Sequence, residues 1–399
     1  NTADGAQVEI GNMLQRLREL AVQASSDTLD TNNRTFLNAE ATALKAEINR
    51  ISEQTTWNNL NLLDGTYTGK VFQVGFKGAE TIDITIDDAA TTAIGAFNMH
   101  SEGHADTLTS TTSITNNTLS IAGYLGTATV EVEADTTLLN TSVKKVASDI
   151  NAVKDSTGVE ATAITKGKLH TVSATGVISF DLAGNQTNGT AATFYDVTAT
   201  LASTSDLDPL VDAINAHSSN TGISAILGAT AAEIILTHQT GENIELKKLS
   251  IAGGTAGTMR LTTLDKFGNS VTTADTTLNR TAVAATKAST ITLGGTATTG
   301  AKAGAYVLGQ MTLSSIKSFT VTGDDTDVED GYFGNVHGYT GQTTAGGTAK
   351  LSSVASISVA TQEHATDAIA VLDAAIAKID QQRADLGAIS NRLSSVVDN

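Results

Sequence analysis

The sequence predicts an α+β protein of several domains, with an antiparallel helical bundle formed by both ends of the chain. A β-hairpin is predicted beside the bundle, and β-rich (α+β) domains are predicted as an insert between the two ends. Three observations carry this prediction. Apolar residues recur at helical spacing at both ends, they alternate strictly after the second helical run, and the long middle is rich in Thr, Ala and Gly.

The first 51 residues predict two amphipathic helices joined by a short turn. In both runs the apolar residues recur at spacings of mostly three and four, which places them on one helix face. The runs consist of Ile10, Met13, Leu17, Leu20 and Ala24, then Leu37, Ala41, Leu44, Ile48 and Ile51. The break at residues 25–33 is rich in Ser, Thr, Asp and Asn, which cap helices and compete with helix interiors.

Residues 71–87 predict a β-hairpin. Phe72, Val74 and Phe76 alternate with their neighbours, and residues 77–80 form a connection that contains a glycine. The return segment alternates Ile with Thr and Asp up to Asp87. Strict alternation on both sides of a glycine-containing connection is typical of a hairpin.

The far end predicts a long helix from about residue 364 to residue 397. Its apolar residues fall on a seven-residue lattice: Ile369, Leu372, Ile376, Ile379, Leu386 and Leu393. Such a helix would be roughly 50 Å long. An apolar stripe of this kind needs a partner helix, so we expect it to pack on the two N-terminal helices.

The middle predicts short strands, with examples at residues 129–132, 177–181, 234–237 and 290–293. It also contains a repeat with an offset of 64 residues. The segments 146–151 and 157–161 align with 210–215 and 221–225, and each copy predicts a short helix, a glycine turn and a strand. Pro209 fits the first turn of the second short helix.

The predicted domains are therefore a helical core domain of residues 1–88 plus 355–399 and two inserted regions. The first region, residues 89–252, carries the repeat. The second, residues 253–354, is predicted to be a further β-rich subdomain without a third copy.

Composition excludes several classes of protein. Lys and Arg number 24 against 42 Asp and Glu, which gives a net charge of −18 and argues against nucleic acid and anionic membranes as partners. Cysteine is absent, so disulfides, thiolate metal sites and cysteine nucleophiles are excluded. No run of 18 apolar residues occurs, so no membrane insertion is expected.

No catalytic constellation is found in the sequence. The zinc-protease pattern His-Glu-x-x-His and the Gly-x-Ser-x-Gly elbow are both absent, and residues 295–302 only approximate a phosphate-binding loop. We therefore expect no enzyme and no cofactor. Two polar clusters are weak metal candidates and are better interpreted as solvated loops; their possible ligands are His100, His104, Asp325 and Asp327.

Three segments at the two ends resemble bacterial flagellins. Residues 15–23 are similar to the signature of the first core helix, residues 54–65 to the segment after the second, and residues 383–393 to the C-terminal core helix. The motif residues are Gln15, Arg16, Arg18, Glu19, Leu20, Asn58, Arg383, Leu386, Gly387, Ala388, Asn391 and Arg392. The resemblance covers roughly residues 1–88 and 355–399, in the family's order.

The resemblance implies a structural subunit of the flagellar filament, located outside the cell. Its implied partners are other flagellin subunits, the export chaperone and cap proteins. Arg16, Leu20 and Glu40 match positions through which the Toll-like flagellin receptor recognises flagellins. Flagellins have further helical segments outside both ends, so we expect this chain to be truncated and monomeric.

Two further expectations concern the last helix. Arg383 and Arg392 are expected to contact carboxylates on neighbouring helices, with modest energy where the pairs are exposed. Gly387 and Ala388 are expected to let another backbone approach closely.

Two alternatives remain open at this point. One is a cell-surface adhesin whose insert binds an extracellular glycan or another ligand, although only 4% of residues are aromatic and the net charge argues against polyanionic sugars without a bridging cation. The other is a hook–filament junction protein, which shares helical ends; the close match at residues 383–393 favours a flagellin.

Overall fold

The computed structural model describes residues 1–73, 81–101, 105–107, 117–132, 142–184, 192–252, 258–270, 290–294, 304–323 and 346–398. The chain divides into two compact units. The terminal unit contains residues 1–98, 315–318 and 350–399, and the insert unit contains residues 99–314 and 319–349. Each unit is described separately below.

The described residues form α-helices of very different lengths. They are α1 (Thr2–Ala24), α2 (Thr31–Gln54), α3 (Val143–Ala152), α4 (Lys154–Thr157), α5 (Asp208–Asn215), α6 (Ser218–Thr221) and α7 (Gln362–Asp398). A 3₁₀ turn covers Val354–Ser356. No helix among the described residues has the length and apolar character needed to span a bilayer.

The strands are mostly short. They are β1 (Thr56–Trp57), β2 (Leu60–Asn61), β3 (Lys70–Gln73), β4 (Thr81–Ile84), β5 (Gly95–His100), β6 (Ala105–Thr107), β7 (Asn117–Ala122), β8 (Thr127–Val132), β9 (Glu160–His170), β10 (Gly176–Ala183), β11 (Tyr195–Leu201), β12 (Ile223–Leu227), β13 (Glu233–His238), β14 (Ile244–Ala252), β15 (Thr258–Leu264), β16 (Thr290–Gly294), β17 (Ala305–Val307), β18 (Gln310–Ser315), β19 (Thr320–Gly323), β20 (Gly346–Thr348) and β21 (Lys350–Ser353).

The terminal unit confirms the predicted α+β bundle. The helices α1, α2 and α7 share one apolar core, to which Leu17, Ile48 and Leu372 each contribute a side chain that is at most 1% exposed. The turn between α1 and α2 ends at Asp30, whose side chain accepts a hydrogen bond from the backbone N–H of Asn33 and so caps α2. Sequence periodicity thus located all three long helices.

The predicted hairpin is present as β3 and β4, which pair antiparallel. Ile82, Ile84 and Ile86 are buried in the core of the terminal unit, as their alternation predicts. The predicted connection at residues 77–80 lies outside the described residues. A second antiparallel pair joins β21 to the first four residues of β5, with Lys350 opposite Asn98.

The insert unit is built from antiparallel strands and the four short helices. One sheet has the order β11-β10-β14-β17-β6, and another has the order β20-β19-β7-β8. A third group contains β12, β13, β9, β15 and β16, each paired antiparallel with the next. The predicted strands at 129–132, 177–181, 234–237 and 290–293 lie in β8, β10, β13 and β16.

Both copies of the predicted repeat have the same local structure. The short helices α4 and α6 each end at a glycine in the left-handed region, Gly158 at φ +73° and Gly222 at φ +72°. A side chain at either position would be strained, and its Cβ would meet Tyr124 or His238 at 2.2 or 2.4 Å. The helix–glycine–strand pattern therefore requires glycine in both copies.

The predicted boundary between the two inserted regions does not coincide with a boundary between sheets. Strands from both sides of residue 252 pair with one another, since β15 pairs with β9 and β17 pairs with β14. The division into residues 89–252 and 253–354 therefore stays a prediction.

Candidate functional site on the terminal helices

Side-chain contacts fix α1 and α7 against each other in one antiparallel register. Because both helices are amphipathic, their apolar stripes face each other and leave polar residues along the edges of the contact. Arg383 Nε donates to Asp4 Oδ1 at 3.0 Å, and Arg18 Nε donates to Asp373 Oδ1. The expected carboxylate partner of Arg383 is thus confirmed on α1.

Inside the same contact, Gln7 Nε2 donates to Gln382 Oε1 at 2.9 Å. Gln7 is fully buried and Gln382 is 7% exposed. The apolar periodicity of the sequence gives no signal for this pair, because a glutamine on a helix is ordinarily solvated. A buried polar pair of this kind specifies which residues face each other along two helices.

A charged cluster lies on the exposed side of α1 and α2. Arg16 donates from Nη1 to Glu19 Oε2 at 3.0 Å and from Nε to Glu40 Oε1 at 2.9 Å. These hydrogen bonds raise the pKa of Arg16 above its ordinary value, and the bond with Glu19 contributes most. Arg16 and Glu40 therefore lie together on the surface as one pair.

The expectation for Leu20 as part of a recognition surface is wrong in this structure. Its side chain is fully buried in the core of the terminal unit, because it belongs to the apolar stripe of α1 together with Leu14 and Leu17. Arg16 and Glu40 are exposed, and their part in receptor recognition stays a prediction.

Most of the other motif residues lie at the surface. On α1 they are Gln15, Arg18 and Glu19, and on α7 they are Gly387, Ala388, Asn391 and Arg392, while Leu386 is half-buried. A Cβ on Gly387 would meet no atom within 4 Å, so no described part of the chain approaches it. Within the described residues Arg392 has no ion-pair partner, in contrast to the expectation for it.

Asn58 is exposed and forms a tight turn between β1 and β2. Asn58 and Asn59 have φ values of +50° and +60°, which asparagine tolerates and which a two-residue hairpin turn requires. The turn places Trp57 directly opposite Leu60, and these side chains are 62% and 45% exposed. This hairpin was not predicted from the sequence, although the Asn-Asn pair between Trp57 and Leu60 is a signal for it.

The second hairpin also exposes apolar side chains. In β3, Val71 and Phe72 are 62% and 42% exposed, while Ile82 and Ile84 of β4 are buried. Exposed apolar side chains grouped on one body are typical of a surface that binds a partner. The terminal unit therefore carries two hairpins that each present apolar side chains to solvent.

Two lysines of the terminal helices donate hydrogen bonds to the backbone of neighbouring loops. Lys45 Nζ donates to the carbonyls of Ala355 and Ile357 at 3.2 and 2.9 Å, and Lys378 Nζ donates to the carbonyl of Ala93 at 2.9 Å. Partial burial lowers the pKa of both lysines. These contacts hold the chain segments that lead into β5 and out of β21.

The metal candidates receive no support from the described residues. His100 Nδ1 lies 2.9 Å from the hydroxyl of Thr312 in the insert unit, and His104, Asp325 and Asp327 lie outside the described residues. Among the residues that the structure describes, no three His, Asp or Glu side chains are grouped so that they could hold a metal ion.

Family models match two parts of the chain. The bacterial flagellin N-terminal helical region matches residues 1–68, and the flagellin hook IN motif matches twice, at residues 118–175 and 179–240. The two hook IN matches contain the two copies of the repeat.

Three curated relatives illustrate how the similarity is distributed. The B-type flagellin of Pseudomonas aeruginosa is 30% identical over 398 residues, which are 100% of this chain and 73% of that protein. Flagellin 1 of Proteus mirabilis is 42% identical over 94 residues, or 24% of this chain and 26% of the relative. Polar flagellin F of Vibrio parahaemolyticus is 36% identical over 107 residues, or 26% and 28%.

Among solved structures, FliC from Burkholderia pseudomallei is 16% identical and covers 98% of this chain and 97% of that chain, with a TM-score of 0.35. A likeness at this TM-score carries no argument about the fold. The relationship to known proteins is instead shown by the 30% sequence identity with the relative from Pseudomonas aeruginosa along the whole chain.

Proposed function

Because this chain belongs to the flagellin family, we propose that it is a structural subunit of the bacterial flagellar filament that assembles through its terminal unit. One observation carries the proposal: the relative from Pseudomonas aeruginosa matches the entire chain at 30% identity, including the insert. We propose assembly rather than catalysis as the mechanism, with the insert unit available to solvent in the filament.

The geometry of the terminal unit supports assembly in a specific way. The pairing of α1 with α7 makes one helical body from both ends of the chain, and the two hairpins beside it expose Trp57, Leu60, Val71 and Phe72. Burying such side chains between subunits removes apolar surface from water at about 25 cal/mol per Å². The exposed apolar side chains are therefore proposed as subunit contacts.

The test is electron microscopy of the full-length protein after salt-induced polymerisation. We expect filaments from the natural protein and none, or far fewer, from Trp57→Ser. The matched control is Ile226→Ser, which removes an equally exposed side chain from the insert unit and should leave filaments unchanged. Normal filaments from Trp57→Ser would remove this hairpin from the proposed contact surface.

The remaining partners are proposed from the resemblance alone. They are the export chaperone, the cap protein and the Toll-like flagellin receptor, the last of which would contact the exposed pair of Arg16 and Glu40. An extracellular location follows from the proposed filament. The adhesin and junction-protein alternatives are not better supported.

A further inference from the structure

One histidine of the insert unit is buried where several elements meet. His238 is the last residue of β13 and is 6% exposed. In the sheet it lies opposite Ile223 of β12 on one side and Thr165 of β9 on the other. Its ring packs against Gly222 at the end of α6, where a Cβ would meet Nε2 at 2.4 Å. Because an imidazole changes its charge near neutral pH, a switch can be built at this position.

The glycine at this contact caps the short helix of the second copy of the repeat. In the first copy the corresponding cap, Gly158, packs against the ring of Tyr124 instead. The two copies thus have the same helix–glycine–strand structure but different rings at the cap. The cap by itself does not require an imidazole, because the first copy forms it against a phenol ring.

The hydrogen-bond partners of the His238 ring are neutral groups. Nδ1 lies 3.3 Å from the hydroxyl of Thr240. Backbone hydrogen bonds at Thr221 and Gly184 favour the protonated ring. None of these three groups carries a charge, so they cannot neutralise an imidazolium.

Two charged side chains act on the ring, Glu242 from the turn after β13 and Lys144 from α3. Burial has the largest effect and lowers the pKa of His238 below 6.5, while the charge of Glu242 opposes this shift and that of Lys144 adds to it. The unfolded chain therefore binds this proton more tightly than the folded protein does. As a result, the free energy of unfolding should fall as the pH falls from 6.5 towards the lowered pKa of the ring.

Only one of the two carboxylate oxygens of Glu242 is engaged. Its Oε1 atom lies 3.1 Å from Lys144 Nζ, whereas its Oε2 atom is buried and has no hydrogen-bond partner among the described residues. The side chain of Glu242 is 8% exposed and that of Lys144 is 51% exposed. Water can therefore solvate Lys144 when this ion pair opens, but it cannot solvate a charge on buried His238.

We propose that Glu242 exchanges partners when His238 gains a proton, which makes this corner of the insert unit an acid-sensitive switch. When the ring is neutral, the carboxylate pairs with Lys144 and joins the turn after β13 to α3. When the ring is protonated, the carboxylate pairs with the buried imidazolium, and the Lys144 side chain turns to water.

The exchange changes how α3 is held. The backbone N–H of Lys144 donates to the carbonyl of Gly241 at 3.2 Å, and this bond does not involve the carboxylate. In acid the first turn of α3 therefore keeps this hydrogen bond to the turn and loses the ion pair. The switch lies within the insert unit, so it does not depend on filament assembly.

Nuclear magnetic resonance of the full chain tests whether the ring is the switch, with its signal assigned from His238→Gln. We expect the ring to titrate in the folded protein with a midpoint below 6.5. Lys144→Gln should raise this midpoint, because it removes a cation and frees Glu242, and Glu242→Gln should lower it. The matched control is Lys154→Gln, which removes an exposed lysine paired with Glu160 and should leave the midpoint unchanged.

Urea unfolding one pH unit above and one below the measured midpoint tests the exchange itself. Above the midpoint, Lys144→Gln should lower the equilibrium constant for folding about fivefold, because Glu242 loses its partner. Below the midpoint the same substitution should have no effect, since Lys144 is then solvated. In a His238→Gln background the fivefold loss should be the same at both pH values.

Several results would overturn the proposal. One is a ring that stays neutral in the folded protein down to about pH 4. Another is an equal loss in Lys144→Gln on both sides of the midpoint, or a pH-dependent loss that persists in the His238→Gln background. A crystal structure below the midpoint in which Glu242 still contacts Lys144 would exclude the exchange. If His238→Gln does not fold, identical midpoints in the natural protein, Lys144→Gln and Glu242→Gln would reject the proposal.

Discussion

Gln7 and Gln382 are the buried polar pair in the contact between α1 and α7. One hydrogen bond of 2.9 Å joins them, while Gln7 Oε1 and Gln382 Nε2 are buried and have no hydrogen-bond partner among the described residues. Each buried, unpartnered polar atom costs about 1–3 kcal/mol. The pair therefore weakens the helix contact and selects its register.

Replacing both glutamines by leucine should raise the free energy of unfolding or leave it unchanged, because the unpartnered polar atoms disappear. Gln382→Leu alone should lower it by about 1–3 kcal/mol, since Gln7 then loses its partner. Urea unfolding of the two single variants and the double variant measures the coupling. A double variant that is less stable than both single variants would contradict this account.

Glu245 is a buried carboxyl group in β14. It is fully buried, its Oε2 atom lies 3.7 Å from Lys247 Nζ, and Lys247 lies over the ring of Phe194 at 3.8 Å from the ring centroid. Burial raises the pKa of Glu245 from 4.5 to about 7, and Lys247 opposes part of the shift. The folded protein therefore holds this proton more tightly than the unfolded chain does.

This shift predicts a pH dependence with a definite sign. The contribution of Glu245 to stability is fully present below pH 4.5 and is lost as the pH rises through about 7. Glu245→Gln should therefore be more stable than the natural protein at pH 8, by about 3 kcal/mol at most, and equally stable near pH 4. Thermal melts across this range measure the difference, with the exposed Glu160→Gln as control. A variant that is less stable at pH 8 would contradict the shift.

At the scale of elements, each copy of the repeat fixes its strand with an asparagine. Asn151 accepts a hydrogen bond from the backbone N–H of Ala161 and donates to its carbonyl, both at 2.8 Å. Asn215 makes the same two bonds with Ala225, also at 2.8 Å. Through its two bonds, Asn215 of α5 satisfies the backbone N–H and carbonyl of Ala225 on the outer edge of β12. Among the described strands, β12 pairs only with β13.

Asn215→Ala should lower the free energy of unfolding by about 1–3 kcal/mol, because it removes the partner of two backbone groups. It should also increase aggregation, since an unpaired strand edge is a template for another chain. Chemical unfolding and light scattering measure the two effects. Asn220→Ala, an exposed asparagine nearby, should change neither, and an equal loss in both variants would refute the role of the side chain.

Elements were predictable where one physical signal dominates. The apolar periodicity of α1, α2 and α7 and the alternation of β4 are set by burial on one face, so the sequence alone locates them. Leu20 shows the limit, because its place in a known motif suggested a surface role whereas its place in the apolar stripe determines its burial. The pairing of β9 with β13 and β15 was not predictable, because it joins strands that are far apart in the sequence.

At the scale of the whole molecule, the insert begins and ends at neighbouring points of the terminal unit. Asn98 of β5 lies opposite Lys350 of β21 in an antiparallel pair. The Cα atoms of such a pair are about 5 Å apart. A two-residue turn would therefore bridge them without strain.

Replacing residues 99–349 by a short Gly-containing turn should leave the terminal unit helical and cooperatively folded. Some stability should be lost, because Ile316 packs on its core. Circular dichroism melts measure both. A matched excision of residues 87–349 also removes Ile94 and β5 and should unfold the unit, and similar melts for the two variants would contradict the importance of the pairing between β5 and β21.

The closeness of Asn98 and Lys350 has an evolutionary consequence. Recombination between these two positions replaces the insert while the helices keep the contacts that they make with residues 1–98 and 350–398, and only the packing of Ile316 has to be supplied again. A single exchange of this kind can therefore give the terminal unit a different insert without a new path for its own chain.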